Sequence, residues 1–116
     1  MSTDSILKRK SMSFAKRIVQ LYKYLCKEHR EFVMSKQVLR SGTSIGANVS
    51  EAIYGSSRRD FAAKLQIAQK EAAETRYWLE LLNSSGYIPD DLFLSLNEDC
   101  KEIMAILGAS IKSCLE

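Results

Sequence analysis

The longest uninterrupted hydrophobic pattern in the chain runs from residue 57 to residue 84 and predicts a helix about 40 Å long. Ser57 suits the N-cap position, and Asp60 places a negative charge in the first turn, where the helix dipole favours it. Steps of four and three relate the members of a mostly apolar set, the core row: Phe61, Leu65, Ala68, Ala72, Thr75, Leu79 and Leu82. Since this spacing follows one side of a helix, we expect the core row to face the protein interior.

A second set of residues with the same spacing, the mixed row, lies beside the core row and combines charge with apolar bulk: Asp60, Lys64, Ile67, Glu71, Glu74, Trp78 and Leu81. Charged side chains are costly on a buried surface unless they find partners. We therefore expect a contact with another subunit, with Arg40 or a neighbour's basic residue pairing the acids. The predicted interface residues are Arg40, Lys64, Ile67, Glu71, Glu74 and Trp78.

Three further stretches carry a helical hydrophobic stripe, over residues 13–28, 35–54 and 90–114. The polar residues 1–11 are predicted to form a flexible basic arm, Ser35 is the predicted N-cap of the second helix, and Pro89 precedes the fourth. Across the helices we expect the following side chains to be buried: Ile18, Val49, Phe61, Leu65, Ala68, Leu79, Ile103 and Leu107.

Two glycines lie one turn apart within the second predicted helix, although each costs about 1 kcal/mol relative to Ala in such a position. Gly42 and Gly46 clear one face of the helix, which predicts the close approach of a neighbouring helix. The surrounding sequence does not form a phosphate-binding loop, because it lacks the Gly-Lys-Ser/Thr ending and follows no strand.

Four helices with short connections predict an all-α protein, a single domain over residues 1–116 folded as an antiparallel up-down-up-down four-helix bundle. One Pro and five Gly among 116 residues agree with long helices and few turns. No apolar run is long enough to span a bilayer, and the first residues lack the apolar stretch of a secretory signal. We therefore expect a cytoplasmic protein with no membrane partner.

The net charge of +3 is distributed unevenly along the chain. Residues 1–58 contain eleven basic and four acidic residues, a net charge of +7, whereas residues 59–116 contain six and ten, a net charge of −4. The basic half indicates an anionic partner or the acidic half of a neighbouring subunit. Tyr22 and Tyr24 lie among lysines, and aromatic residues in such a setting can stack on bases, although Tyr22 also belongs to the apolar stripe of the first helix. The candidate nucleic-acid-binding residues are Lys8, Arg9, Lys10, Lys16, Arg17, Lys23 and Lys27.

The residue pattern does not support catalysis or metal binding. The single histidine, His29, has no nucleophile nearby in sequence, and no Glu-x-x-His pair of a di-iron bundle occurs. Cys26, Cys100 and Cys114 are too widely spaced for a zinc site. We expect no enzymatic activity, no metal and no cofactor.

The second and third helices resemble one bacterial family through two patterns, QxxRSxxSIxxNxxE at 37–51 and DFxxKLxIAxKEAxETxYWL at 60–79. This four-helix-bundle family is encoded in intervening sequences of large-subunit rRNA genes and is related to the accessory variability proteins of diversity-generating retroelements. The resemblance implies a homopentameric ring. For the retroelement members it also implies nucleic-acid binding through a basic surface and a reverse transcriptase partner, although those members are more strongly basic than this chain.

Two functions are compatible with these features. The first is a non-catalytic oligomer that binds structured RNA or DNA through the basic surface of the first helix, with little sequence preference because no base-reading motif is present. The alternative is a protein-interaction scaffold with no nucleic-acid role, which the mixed row and the modest net charge favour.

Overall fold

Four long helices make up almost all of the computed structural model, which describes residues 2–116. They are α1 (Thr3–His29), α2 (Met34–Ile53), α3 (Arg58–Ser84) and α4 (Asp90–Leu115). Each helix packs antiparallel to the next, and α4 packs back against α1, within overall dimensions of 44 × 22 × 21 Å. Residues 2–116 form four helices that pack together and no strand, so the predicted all-α four-helix bundle is confirmed.

The core row of α3 faces the interior as predicted, with one exception at its first position. Leu65, Leu79 and Leu82 are at most 1% exposed, and Ala68, Ala72 and Thr75 are also buried. Phe61 is half-buried, whereas Ala62 beside it is buried, so the expected burial of Phe61 is wrong. A strict seven-residue repeat drifts by about 20° per heptad around a straight helix, which moves the first position to the edge of the core.

The start of α1 corrects the prediction of a flexible arm over residues 1–11. The helix begins at Thr3, because the Ser2 hydroxyl caps it by accepting a hydrogen bond from the backbone N–H of Ser5. Leu7 is 1% exposed and extends the buried stripe of α1 towards the N-terminus. Leu7 and the half-buried Ile6 beside it anchor a segment whose other described residues are polar or basic; Met1 lies outside the described residues.

The start of α2 also differs from the prediction, because Glu31 rather than Ser35 caps it. The Glu31 carboxylate accepts backbone N–H bonds from Val33, Met34 and Ser35 at 2.7–3.1 Å, and Val33 occupies the N-cap position. Burial opposes ionisation of this carboxyl, but the bonds from Ser35, Met34 and Val33 lower its pKa below the ordinary value. Glu31 therefore fixes the turn between α1 and α2.

The two glycines of α2 allow α1 to approach closely, as predicted. A Cβ atom on Gly42 would lie 2.8 Å from Cγ1 of Ile18, and one on Gly46 would lie 3.4 Å from Oγ of Ser11. On its other side α2 meets α3 through a buried hydrogen bond, in which Thr75 donates to the Ser41 hydroxyl at 2.9 Å. Small residues of α2 thus contact α1 at Gly42 and Gly46 and α3 at Ser41.

Candidate nucleic-acid interface

The outer face of α1 presents a line of four cations that we call the basic row: Arg9, Lys16, Lys23 and Lys27. All four side chains are exposed, and none forms an ion pair within 4 Å with an acid of the described chain. Steps of seven, seven and four residues keep them on the side of α1 opposite its buried stripe, over about 27 Å of helix. The basic row is therefore a line of positive charges along the outer face of α1, without acidic partners among residues 2–116.

The other three predicted nucleic-acid-binding residues lie on the flanks of α1. Lys10 pairs with Glu102, and Arg17 pairs with Asp99 at 2.7 Å, so both point towards α4. Lys8 lies on the opposite flank, with its ammonium 5.9 Å from the centre of the Tyr54 ring. The structure thus divides the seven predicted residues into an outward-facing group of four and a flanking group whose charges already have partners.

An aromatic cluster that the sequence did not predict lies at the end of the bundle where α1 stops. The Tyr24 hydroxyl lies 3.2 Å from Nε2 of His29, and the ring centres of these residues are 5.4 Å apart. The His29 ring also meets the Tyr87 ring edge to face at 5.4 Å. Tyr87 belongs to the turn between α3 and α4, so no spacing within one helix could have revealed this contact.

The charged residues of the predicted subunit interface pair within one chain. Arg40 on α2 binds the carboxylates of Glu71 and Glu74 on α3, and Trp78 donates its indole N–H to Glu74 at 3.0 Å. The bonds from Trp78 and then Arg40 lower the pKa of the Glu74 carboxyl, and those acids raise the pKa of Arg40. Arg40 is therefore the partner for the acids, one of the two sources that the mixed row suggested.

The remaining predicted interface residues are Lys64, which pairs with Glu51 at 3.0 Å, and Ile67, which remains 42% exposed. Tyr77, ten residues further along the outer side of α3, is 57% exposed. Lys64, Glu71 and Glu74 of the mixed row are thus paired by α2, whereas Ile67 of the same row and Tyr77 outside it remain exposed.

The residues that could support metal or thiol chemistry are dispersed through the bundle. In the described part of the chain, no three His, Cys, Asp or Glu side chains come together as a set of metal ligands. Cys100 lies in the core, where burial raises its pKa to about 12, and its thiol contacts the carbonyl oxygen of Ala72 at 3.4 Å. Cys26 and Cys114 are half-buried and unbridged.

Comparisons with known proteins agree with this architecture. The model of a family described as 23S rRNA-intervening sequence protein matches residues 3–109. The chain belongs to this family. A solved structure of a protein with unknown function, from the S23 ribosomal protein family of Bacteroides thetaiotaomicron, is 56% identical to it, with a TM-score of 0.94. That match covers 96% of this chain and 99% of the other, whereas no curated protein matches.

The family match confirms the resemblance to proteins of rRNA intervening sequences that the two helical patterns indicated. The resemblance is expected over most of the chain, from about Phe14 to Ile111, and the match over residues 3–109 agrees with that extent. Among residues 2–116, no helix combines the length and the apolar character needed to cross a membrane.

Proposed function

We propose that this protein is a non-catalytic, ring-forming protein that binds nucleic acid through the outer face of α1. The observation that carries this proposal is the basic row, four exposed cations on one helix face without acidic partners in the described chain. Lysine and arginine side chains that neutralise phosphates release counterions, which supplies affinity without reading sequence. The ligand is structured RNA or DNA, bound with little sequence preference.

The assembly that we propose is a homopentamer, with the number five resting on family resemblance. Ile67 and Tyr77, two exposed apolar side chains on the outer side of α3, are the candidate contacts for self-association. A ring would repeat the basic row around its circumference, and linked sites gain effective concentration. Weak phosphate contacts on one subunit would then add up to useful affinity.

A salt series tests this function most directly. With four phosphate contacts, the logarithm of the affinity falls against the logarithm of the salt concentration with a slope of about −3.6, roughly a 150-fold loss between about 50 and 200 mM. We expect a variant with Arg9, Lys16, Lys23 and Lys27 changed to Glu to lose binding to structured RNA and to duplex DNA.

A matched control carries the same change of net charge elsewhere on the surface, at Lys36, Lys70, Lys101 and Lys112, which are all exposed. Analytical ultracentrifugation should show that both variants assemble like the wild type. Absence of wild-type binding at about 50 mM salt would overturn the proposal, as would equal losses in the two variants, since the effect would then follow total charge alone.

The second candidate function is a protein-interaction scaffold, which the apolar outer side of α3 favours. Ile67 and Tyr77 would then contact a different protein rather than another copy of this chain. A reverse transcriptase is the partner suggested by family resemblance, and co-purification of the two recombinant proteins, compared between wild type and an Ile67→Glu, Tyr77→Glu variant, tests it. A monomeric protein that retains a partner through these residues would favour the scaffold.

A further inference from the structure

A cleft of about 350 Å³ opens between α1 and α4, next to the basic row. It is lined by Arg17, Gln20, Leu21, Tyr24, Leu92 and Leu96, and we call it the Tyr24 cleft. Leu21 and Leu96 are buried and form an apolar floor, while Tyr24 is 37% exposed and forms one wall. Its volume lies in the range of about 300–1,000 Å³ that is usual for small-ligand clefts.

The Tyr24 ring is held in place by His29, which does not line the cleft. Its hydroxyl meets the His29 imidazole at 3.2 Å, and His29 packs in turn against Tyr87. An aromatic surface that is already fixed loses little conformational entropy when a ligand stacks on it. The aromatic cluster thus makes Tyr24 a rigid wall of the cleft.

The cleft and the basic row meet at Gln20. This residue follows Lys16 by four positions and precedes Lys23 by three, so it occupies the gap in the row and also lines the cleft. A phosphodiester backbone that follows the basic row would therefore pass the mouth of the cleft. Gln20 offers an amide that can both donate and accept hydrogen bonds at that mouth.

We propose that the Tyr24 cleft receives an unpaired nucleobase, so that the protein prefers single-stranded over fully paired nucleic acid. This inference rests on the proposed function, because the basic row must hold the backbone. A flat aromatic ring beside cations is the arrangement that binds single strands, in which bases are free to stack on protein side chains. In a duplex the bases are already paired and stacked, and they cannot reach the Leu21 and Leu96 floor.

The test uses the full-length protein as it assembles and three fluorescently labelled probes of about 20 nucleotides: oligouridine, a fully paired RNA duplex, and an abasic single strand. The abasic strand carries the phosphates without the bases. We expect oligouridine to bind the wild type more tightly than either of the other probes. Tyr24→Ala should weaken oligouridine binding by about 5- to 150-fold, the usual effect of losing one stacking partner, and leave the abasic strand unaffected.

Tyr24→Phe is the matched control, since it retains the ring and should bind oligouridine almost as the wild type does. Tyr24→Trp provides a second readout should the alanine variant fail to fold. Stacking of a base on the new indole should quench its fluorescence, measured against the background of Trp78 in the wild type. The change should occur with oligouridine and be absent with the abasic strand.

The outcomes separate this inference from the proposed function. If oligouridine, duplex and abasic strand bind alike, Tyr24→Ala changes none of them and Tyr24→Trp shows no quenching, the inference is overturned while binding through the basic row stands. If no probe binds the wild type at about 50 mM salt, the proposed function itself fails. Loss of oligouridine binding in Tyr24→Ala, with retained binding of the abasic strand, supports the inference.

Discussion

The α2–α3 contact and the α1–α4 contact differ in how their polar side chains are paired. Between α2 and α3, polar groups bond to each other across the helix pair, both inside, at Thr75 and Ser41, and outside, at Arg40 and Glu71. Between α1 and α4, two exposed ion pairs cross a seam along which clefts of about 580, 150 and 350 Å³ open. On the first side polar groups pair across the helices, whereas the second side has open clefts next to the cations of the basic row, which are unpaired within the described residues.

This difference indicates which side serves the fold and which side is available for binding. Side chains that complete each other's hydrogen bonds have little left to offer a ligand, while clefts next to exposed cations do. The charged pattern of the mixed row, which suggested a contact with another subunit, is met largely by α2 of the same chain.

The largest effect is expected when one apolar side chain on each side is truncated and the two losses of unfolding free energy are compared. Leu65 is 1% exposed on α3, and Leu65→Ala should lower the free energy of unfolding by about 2–5 kcal/mol. Ile106 is half-buried and lines the cleft of about 580 Å³ between α1 and α4, so Ile106→Ala should cost only about 1–2 kcal/mol. Urea titrations measure both values; equal losses would mean that the two sides are packed equally well.

A smaller effect is expected from the buried hydroxyl pair between α2 and α3. Thr75→Val removes the donor at 2.9 Å from Ser41 and leaves a buried oxygen without that partner, which should cost about 1–3 kcal/mol. The double variant Ser41→Ala, Thr75→Val removes both hydroxyls and should recover part of this loss. If the double variant is destabilised by the sum of the two single changes, the hydroxyls do not act as a pair.

The smallest predicted effect is the acid sensitivity of the Arg40 cluster. The folded-state pKa of Glu74 is lowered by Trp78 and Arg40, so its contribution to stability is present above the ordinary pKa of 4.5 and is lost as the pH falls through the lower folded value. Glu74→Gln should therefore be less stable than wild type near neutral pH, and the difference should shrink in acid.

Urea midpoints followed from neutral pH to below the ordinary pKa of Glu74 measure this convergence. Glu31 responds to acid in the same direction, because its pKa is also lowered, so part of the acid sensitivity must persist in Glu74→Gln. A Lys101→Gln variant, with a side chain on the exposed surface of α4, is the control. A constant difference between Glu74→Gln and wild type across the series would contradict the prediction.

The fold could be predicted from the sequence because its determinants are periodic and local. The spacing of Leu65, Leu79 and Leu82 fixes the buried side of α3, and Ser57 caps that helix by accepting from the Asp60 N–H, as predicted. The start of α1 was not predicted, although Leu7 lies seven residues before Phe14 on the same stripe, because Ser11 interrupts the apolar pattern between them and the flanking residues are polar.

The candidate site could be predicted only in part, because some of its features depend on contacts between residues that are distant in sequence. Lys16, Lys23 and Lys27 share a helix face by spacing alone, and this face is exposed in the structure. Whether Arg17 and Lys10 join it depends on Asp99 and Glu102, which are distant in sequence. The setting of Tyr24 depends on Tyr87 and on the whole course of α4, so it required three-dimensional information.

The contact between Gly42 and Ile18 has an evolutionary consequence. A methyl group at position 42 would meet the branched, fully buried side chain of Ile18 at 2.8–2.9 Å, and Ile is stiff at χ1. Relatives that carry Ala at the position equivalent to Gly42 should therefore have a smaller or differently branched residue opposite it. Positions 18 and 42 should therefore covary through the family. Substituting Gly42 and Ile18 together should be tolerated better than substituting Gly42 alone.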